Sequence, residues 1–585
     1  MNKSSSSKYW FFRDYNENYI SELSRIYNIS DLQAKILSSR VLSIDEAEKF
    51  LNPKIKSQLP DPFHLLDMEK SVSRTIDAIN NSEKICIFAD YDVDGATSSA
   101  LLKNIFNQIG IDNTVYVPDR IEEGYGPTSI AMEKISASGT SLIITVDCGS
   151  VAFEPLEKAS NLGMDVIVID HHISLDHLPK AIGVINPNRL DETSQCKNLA
   201  AVGVAFLFAV ALVMRLKEND YFKKKNINPP DLMGQLDLVA LGTVCDVMQL
   251  TGLNRAFVTQ GLKVAKSRKN IGLKTLCDVS NISEPINCYH LGYILGPRIN
   301  AGGRVGKSSL GANLLSTNSA IAAQEISEEL DKHNNERKVI EMTMLEEAMQ
   351  MAEVQIDDKM IFVAKDAWHP GVIGIAAGRL KEKYNKPVAV IALNDGVGKA
   401  SCRSIKGVDF GYKIIEAKQK DLLIAGGGHA MAAGFTVAES KLHELQKFLN
   451  DKFEKDLSDS NEHLKEYYDA DLTTSAATIE FMHEINSLEP FGVGNPAPVF
   501  RFSNLYVLKA DIVGSKHIRV LFAPIKESYS SKPLSAIAFN AVDTQLGNVL
   551  LSHKSLTLSV FGKLKINKWQ EQETVQLQLS DVLVC

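Results

Sequence analysis

Three acidic clusters stand at the ends of apolar runs in this sequence. They are Asp90-Tyr91-Asp92-Val93-Asp94-Gly95 after KICIFA, Asp147 after LIITV, and Asp170-His171-His172 after DVIVI. Short, wholly apolar runs of this kind read as buried strands. In an open α/β sheet the C-terminal ends of the strands converge on the crevice where ligands bind. Five carboxylates and two imidazoles gathered there repel one another unless cations neutralise them. The donors are mostly oxygens, with one or two nitrogens and no thiolate, which suits two Mn²⁺ or Mg²⁺ ions better than a structural zinc. The chemistry this predicts is two-metal hydrolysis of a phosphoester.

Each cluster also has a plainer reading. Along an extended segment Asp90, Asp92 and Asp94 fall on one side, with Gly95 letting the chain turn into the next helix. Asp94 could instead cap that helix, which leaves two acids unexplained. Asp147 precedes Cys148-Gly149-Ser150, and a strand-terminal Asp before a glycine turn is common by itself. Adjacent histidines in a turn allow one ring to bind metal while the other meets substrate. A further acid, Asp246, sits in the apolar run LVALGTVCDVM. A buried, unpaired carboxylate costs several kcal/mol, so it calls for a cation unless it serves as a cap. No nucleophile in a triad-like setting is evident.

The elements that must position these residues alternate from about 61 to 230. KICIFAD leads into a helix with Ala96, Ala100, Leu101, Ile105 and Ile109 on one face, and NTVYVP, LIITVD, DVIVID and AIGVIN follow. Uniformly apolar strands alternating with helices predict an α/β fold with a parallel sheet covered on both faces. Residues 1–60 read as a polar helical arm. From 231 to 355 the pattern is helical, ending in a long charged segment, Ile321 to Val354, expected to be a solvated connecting helix. A second, smaller α/β unit spans 356–455, and short alternating strands over 465–585 predict a small barrel of OB type. In the barrel, Phe491, Phe500, Phe502, Lys509, Lys516, His517 and Arg519 combine rings with cations, as a single-strand-binding face would. A barrel core needs aromatics too, so none is assigned individually.

The whole-chain totals narrow the choices. The 585 residues are too many for one core. A net charge of −8 argues against a nonspecific nucleic-acid coat and requires any polynucleotide to bind in a local basic groove. The eight cysteines show no CxxC spacing, which fits reduced thiols in a cytoplasmic protein. The N-terminus has no apolar export signal. The uncharged stretch from Leu199 to Met214 falls short of the ~20 residues needed to span a bilayer, so a buried helix and no membrane role are expected.

DYDVDG, VDCGS, VIDHH and ALGTVCDV resemble the four motifs of the DHH phosphoesterase superfamily. GPRINAGGRVG, HPGVIGIAAGRL, ASCRS, GGGHAMAAGF and LEPFGVGNPAPVF resemble the RecJ family within it, from about residue 50 to the end. The resemblance implies a DHH catalytic domain, a DHHA1 domain and an OB-fold domain. It also implies a metal-dependent 5′→3′ exonuclease that releases mononucleotides from single-stranded DNA during repair and recombination. By motif, Asp92, Asp94, Asp147, His171 and Asp246 ligate two ions, with Asp147 as the bridge. Asp90 is a ligand or a base behind the ligands, Asp170 orients a histidine, and His172 faces the scissile phosphate. Arg120, Tyr125, Ser401 and Arg403 are implied to grip a 5′-terminal phosphate. Arg298, Asn300, Arg304 and His429 complete the substrate contacts, and His369 contacts phosphate or caps a helix. A monomer is expected, with a helicase and a single-strand-binding protein as partners. Two alternatives stand: a superfamily enzyme acting on short oligonucleotides, and a non-catalytic strand-binding scaffold.

Overall fold

The computed structural model describes residues 3–120, 123–459, 461–525, 532–552, 556–569 and 572–585. The chain forms two compact units. One comprises Glu48–Met342 with Gly492–Asn495, and the other Met1–Ala47, Thr343–Phe491 and Pro496–Cys585.

The first of these is built on a five-stranded, all-parallel sheet. Its strands lie in the order Asn113–Tyr116, Ile85–Ala89, Leu142–Val146, Asp165–Ile169, Gly183–Ile185. Successive side chains on a strand point to opposite faces, and both faces here are apolar. Ile85, Ile87, Ile144, Val146 and Ile169 join the core beneath helices Val93–Gln108 and Ala201–Glu218. Cys86, Phe88, Ile143 and Val168 join a second core that includes Met132, Ile135 and Leu156 from helices Ser129–Ala137 and Phe153–Asn161. Helix Ala201–Glu218 is buried along most of its length, and among the described residues no helix is long and apolar enough to cross a membrane.

The chain leaves strand Ile85–Ala89 toward one side, adds Asn113–Tyr116, and returns to add Leu142–Val146 on the other. That reversal makes the junction of Ile85–Ala89 and Leu142–Val146 the topological switch point, where open sheets bind ligands. Register carries four polar residues into line along this edge. Ala89 pairs with Val146, Val146 with Ile169, and Ile169 with Ile185. The next residues, Asp90, Asp147, Asp170 and Asn186, therefore form one row.

In the other unit, the strands Ala425–His429, Ala432–Ala438, Val397–Arg403, Val388–Asn394 and Ile361–Asp366 form a mixed sheet in that order. The last pair is parallel and the rest are antiparallel. Strand Phe500–Val513 pairs with both His517–Pro524 and Leu558–Trp569, which closes the C-terminal strands into a barrel.

Two expectations are corrected. The N-terminal segment read as a polar helical arm contains a strand, Tyr9–Phe12, parallel to Lys465–Tyr468. Its rings explain this: Trp10 stacks on Phe561 at 4.5 Å and donates its indole N–H to Asp581 at 2.9 Å. Such aromatic contacts outweigh the polar composition around them. The long charged helix, Ala320–Glu353, is not solvated all round. Ala323, Ser327, Leu330, Asn334, Met344, Ala348 and Ala352 are buried, a stripe at spacings of mostly three and four residues that the abundant charges mask in the sequence.

Candidate active site

The three acidic clusters and Asp246 meet at the switch point. Strand Ile85–Ala89 ends at Asp90, and the chain enters its helix at once, so Asp90, Asp92 and Asp94 do not lie along one extended segment. Asp92, rather than Asp94, is the cap: its Oδ1 accepts from the backbone N–H groups of Asp94 at 2.8 Å and Gly95 at 3.2 Å. Asp94 sits in the first helical turn and reaches another helix. Its two oxygens accept from Ala201 N–H at 2.6 Å and Val202 N–H at 2.9 Å, the start of helix Ala201–Glu218. Gly95 serves close packing and not a sharp turn, because a Cβ there would stand 2.3 Å from the Asp90 carbonyl oxygen.

Asp147 follows its strand with φ +60°, a left-handed conformation that aspartate tolerates better than most residues. Asp170 is the organiser of the histidine pair. Its Oδ1 accepts from the N–H groups of His171 at 2.7 Å and His172 at 3.2 Å and bonds His172 Nδ1 at 2.8 Å, while Oδ2 accepts from Ser150 N–H at 3.0 Å. Asp246 is not inside its helix. It is the C-cap of Leu236–Cys245, where the helix dipole disfavours a negative charge and a cation relieves it.

His171 Nε2 lies 3.3 Å from Asp147 Oδ1, 3.5 Å from Asp246 Oδ2 and 3.8 Å from Asp94 Oδ2. Ligand atoms of Asp90, Asp92 and Asp147 form one group within 4.8 Å, those of Asp94, His171 and Asp246 a second, and those of Asp147, His171 and His172 a third. Asp147 thus belongs to two of the groups. The donors fit divalent ions by a direct test: Asp90 Oδ1, Asp147 Oδ1, His171 Nε2 and Asp246 Oδ2 are buried atoms that make no hydrogen bond. Such atoms normally find partners, and their gathering in these donor groups marks a place for cations.

Electrostatics agree. Burial, then the neighbouring carboxylates, raise Asp90, Asp94, Asp147 and Asp246 above the ordinary carboxylate range. Burial, followed by the nearby His172, depresses His171 to about 4, so its ring is neutral and able to ligate. Burial also works against charge on His172, but the hydrogen bond and charge of Asp170 outweigh it and lift His172 to about 9. Asp170 itself is held below the usual range, its burial overcome by His172 and the Ser150 N–H.

The DHH family N-terminal domain matches residues 84–243, the DHHA1 domain 357–455 and the RecJ OB domain 468–581. The single-stranded-DNA-specific exonuclease RecJ of Bacillus subtilis is 33% identical over 581 residues, covering 98% of this chain and 71% of that one. That of Escherichia coli is 34% identical over 563 residues, covering 94% and 95%. The chain belongs to the RecJ family. The crystal structure of RecJ from Thermus thermophilus in complex with Mn²⁺ has a TM-score of 0.80 at 25% identity, covering 98% of this chain and 79% of that one.

Within this RecJ-family frame the remaining sequence candidates separate. Arg304 reaches the acidic edge: burial, with Arg120 and Arg337 nearby, lowers it to about 10, while Asp92 and Tyr91 oppose the shift. Gly303 lets that helix approach, since a Cβ there would lie 2.9 Å from the Tyr91 carbonyl oxygen. Arg120 stacks over the Tyr91 ring at 4.9 Å. Tyr125 donates to the Asp147 carbonyl at 3.2 Å and lies 3.4 Å from His172 Nδ1. Arg298 is engaged by Asp331 at 2.8 Å and the Ile294 carbonyl at 2.8 Å, which ties its helix to the long one. Asn300 is half-buried on the helix of Arg304.

In the other unit Ser401 and Arg403 share one face of their strand, and Arg403 Nη1 donates to Ser401 Oγ at 3.3 Å. Gly374, near the start of helix Ile373–Tyr384, faces both: its Cβ would lie 3.0 Å from Ser401 Oγ and 3.4 Å from Arg403 Nη2. His369 Nδ1 accepts from Gly371 N–H at 3.0 Å just before that helix. His429 is exposed at the end of Ala425–His429. In the barrel, Phe500 and Phe502 are core residues.

Sequence reasoning missed Asn186 and Asn188. Asn186 Nδ2 donates to Ser150 Oγ at 2.7 Å and the His172 carbonyl at 2.8 Å, and Asn188 donates to the His171 carbonyl. Their signal was present, because Asn186 ends the apolar strand of AIGVIN just as the acids end theirs.

Proposed function

We propose that this chain is a single-stranded-DNA-specific 5′→3′ exonuclease that hydrolyses phosphodiesters at the Asp147 centre. The observation that carries the chemistry is the pair of donor groups, Asp90, Asp92 and Asp147 beside Asp94, His171 and Asp246, with orphaned atoms in each. Family membership supports the substrate, because the matched relatives are named single-stranded-DNA-specific exonucleases.

Asp92, Asp94, Asp147, His171 and Asp246 would hold two Mn²⁺ or Mg²⁺ ions, with Asp147 shared and Asp90 completing the first group. Ions so held would supply a water nucleophile at neutral pH and would neutralise charge on the attacking and leaving oxygens. The protein groups do the rest. His172, oriented by Asp170, would face the phosphate. Arg304 and Arg120, at Asp92 and Tyr91, add positive charge where the backbone passes. Ser401 and Arg403 are assigned to the 5′-terminal phosphate, the contact that sets polarity; their hydroxyl, guanidinium and adjoining helix start form an anion-binding arrangement. The active form is proposed to be a cytoplasmic monomer acting on strands that a helicase opens and a single-strand-binding protein covers.

A single-stranded DNA 30-mer labelled separately at each end, with Mn²⁺, Mg²⁺ or EDTA, tests the reading. Metal-dependent release of mononucleotide from the 5′ label, absent on a blunt duplex, is expected. Cleavage of dinucleotides alone would keep the centre and overturn the substrate.

A further inference from the structure

Next to the Asp246 turn lies an aromatic surface that the hydrolytic chemistry leaves unused. Residues His290–Leu295 form a π-helix, a geometry that occurs frequently at functional sites. One side of it is sealed onto the end of helix Leu236–Cys245. Cys245 Sγ donates to the Leu291 carbonyl at 3.3 Å. A Cβ on Gly292 would lie 3.5 Å from Val244 Cγ1, and one on Gly296 2.5 Å from Cys245 Sγ. The segment therefore backs directly onto the turn that presents Asp246.

Tyr289 and Tyr293 stand apart from this sealed side. They are 60% and 75% exposed, and their rings stack at 5.5 Å with 23° between planes. Between them, His290 accepts at Nδ1 from Asn287 N–H at 3.2 Å and pairs through Nε2 with Glu284 at 2.9 Å, which pins the turn. Val247, immediately after Asp246, is 64% exposed with φ +60°. A β-branched residue rarely takes the left-handed position that glycine favours at a helix end. Exposed rings and an exposed, strained valine on neighbouring turns beside a metal ligand are not explained by folding.

We propose that Tyr289 and Tyr293 form a stacking platform for the bases of the strand whose phosphates lie at Asp147 and Asp246, with Val247 extending the apolar surface. The inference rests on the strand-hydrolase reading above. Every base has a π-face, so aromatic stacking holds a strand without reading its sequence. The Cys245–Leu291 contact joins the segment that carries the rings to the end of the helix that Asp246 caps.

The test compares hydrolysis of a normal 30-mer and a 30-mer of abasic sugars by the full chain in Mn²⁺. For Tyr289→Ala/Tyr293→Ala, KM on the base-bearing strand is expected to rise about ten-fold, the effect of roughly one lost stacked base. KM on the abasic strand should stay near that of the unaltered chain, and Tyr289→Phe/Tyr293→Phe should behave as the unaltered chain on both. An unchanged KM on the base-bearing strand, or equal losses on both strands, overturns the platform alone. Failure of the unaltered chain to hydrolyse the base-bearing strand overturns the strand reading and the platform with it.

Discussion

The Nε2 atom of His171 lies 3.3 Å from Oδ1 of Asp147, and neither atom makes a hydrogen bond. A neutral imidazole and a buried carboxylate facing each other in this way attract little by themselves. Both present lone pairs that no hydrogen bond uses, and a divalent ion accepts lone pairs from oxygen and imidazole nitrogen alike.

Metal and protein stability should therefore be linked through Asp147. Adding Mn²⁺ at about 100 times its Kd is expected to stabilise the fold by about 2.7 kcal/mol, and EDTA to remove that gain together with hydrolysis. Asp147→Asn should unfold at a higher temperature than the parent in EDTA, because one buried charge is gone. It should gain little from Mn²⁺ and turn over at less than a few per cent. Calorimetry with and without Mn²⁺ decides this; a variant that keeps the full Mn²⁺ gain removes Asp147 from the centre.

Gly95→Ala should damage the site from behind. The new methyl would meet the Asp90 carbonyl oxygen at 2.3 Å and its carbon at 2.7 Å, contacts with backbone that no side-chain rotation relieves. A loss of about 3 kcal/mol in urea unfolding is expected, with weaker Mn²⁺ binding as Asp90 is displaced. Wild-type stability would show that the helix start is not so closely seated.

Val247→Gly should have the opposite sign. Its position closes the helix by a Schellman arrangement, with Met248 N–H donating to the Thr243 carbonyl at 3.1 Å. Glycine removes the left-handed strain of valine, so stability should rise by about 1 kcal/mol after the added freedom of the unfolded chain. Denaturant titration measures it, and a destabilised variant would mean that Val247 makes packing contacts outweighing the strain.

Asp237 supplies a pH dependence away from the metal centre. It is buried at the opposite end of the helix that Asp246 caps, and burial raises its carboxyl to about 6 despite the Leu238 N–H it accepts. A folded value above the unfolded one means this group costs nothing below about pH 4. Its cost grows as pH rises through 6 and is complete above that. Asp237→Asn should therefore leave stability unchanged at pH 4 and raise it at pH 8 by on the order of 3 kcal/mol. Unfolding curves at the two pH values check the difference, and an equal effect at both would exclude a buried charge.

How much of this was legible varies by residue. The strands before Asp90, Asp147 and Asp170 were readable because a parallel strand buried on both faces is a continuous apolar run, and its polar successor marks the sheet edge. The barrel and the second sheet followed from the same kind of pattern. The aromatic strand Tyr9–Phe12 was hidden because its partner lies far along the chain, at Lys465–Tyr468. Asp246 was found for its odd setting but placed inside a helix that in fact ends beneath it, since an apolar run does not mark its last hydrogen bond.

The sequence by itself determined which residues are acids at strand ends and the donor chemistry of the centre, because these depend on local pattern and residue type. Only the tertiary structure decided their roles. It turned Asp147 left-handed toward His171, set Asp94 against the N–H groups of Ala201 and Val202, and gave Asp170 to His172 rather than to a metal group. These contacts join segments distant in sequence, and their geometry follows from the register of the sheet and the packing of helices on it, which no local pattern encodes.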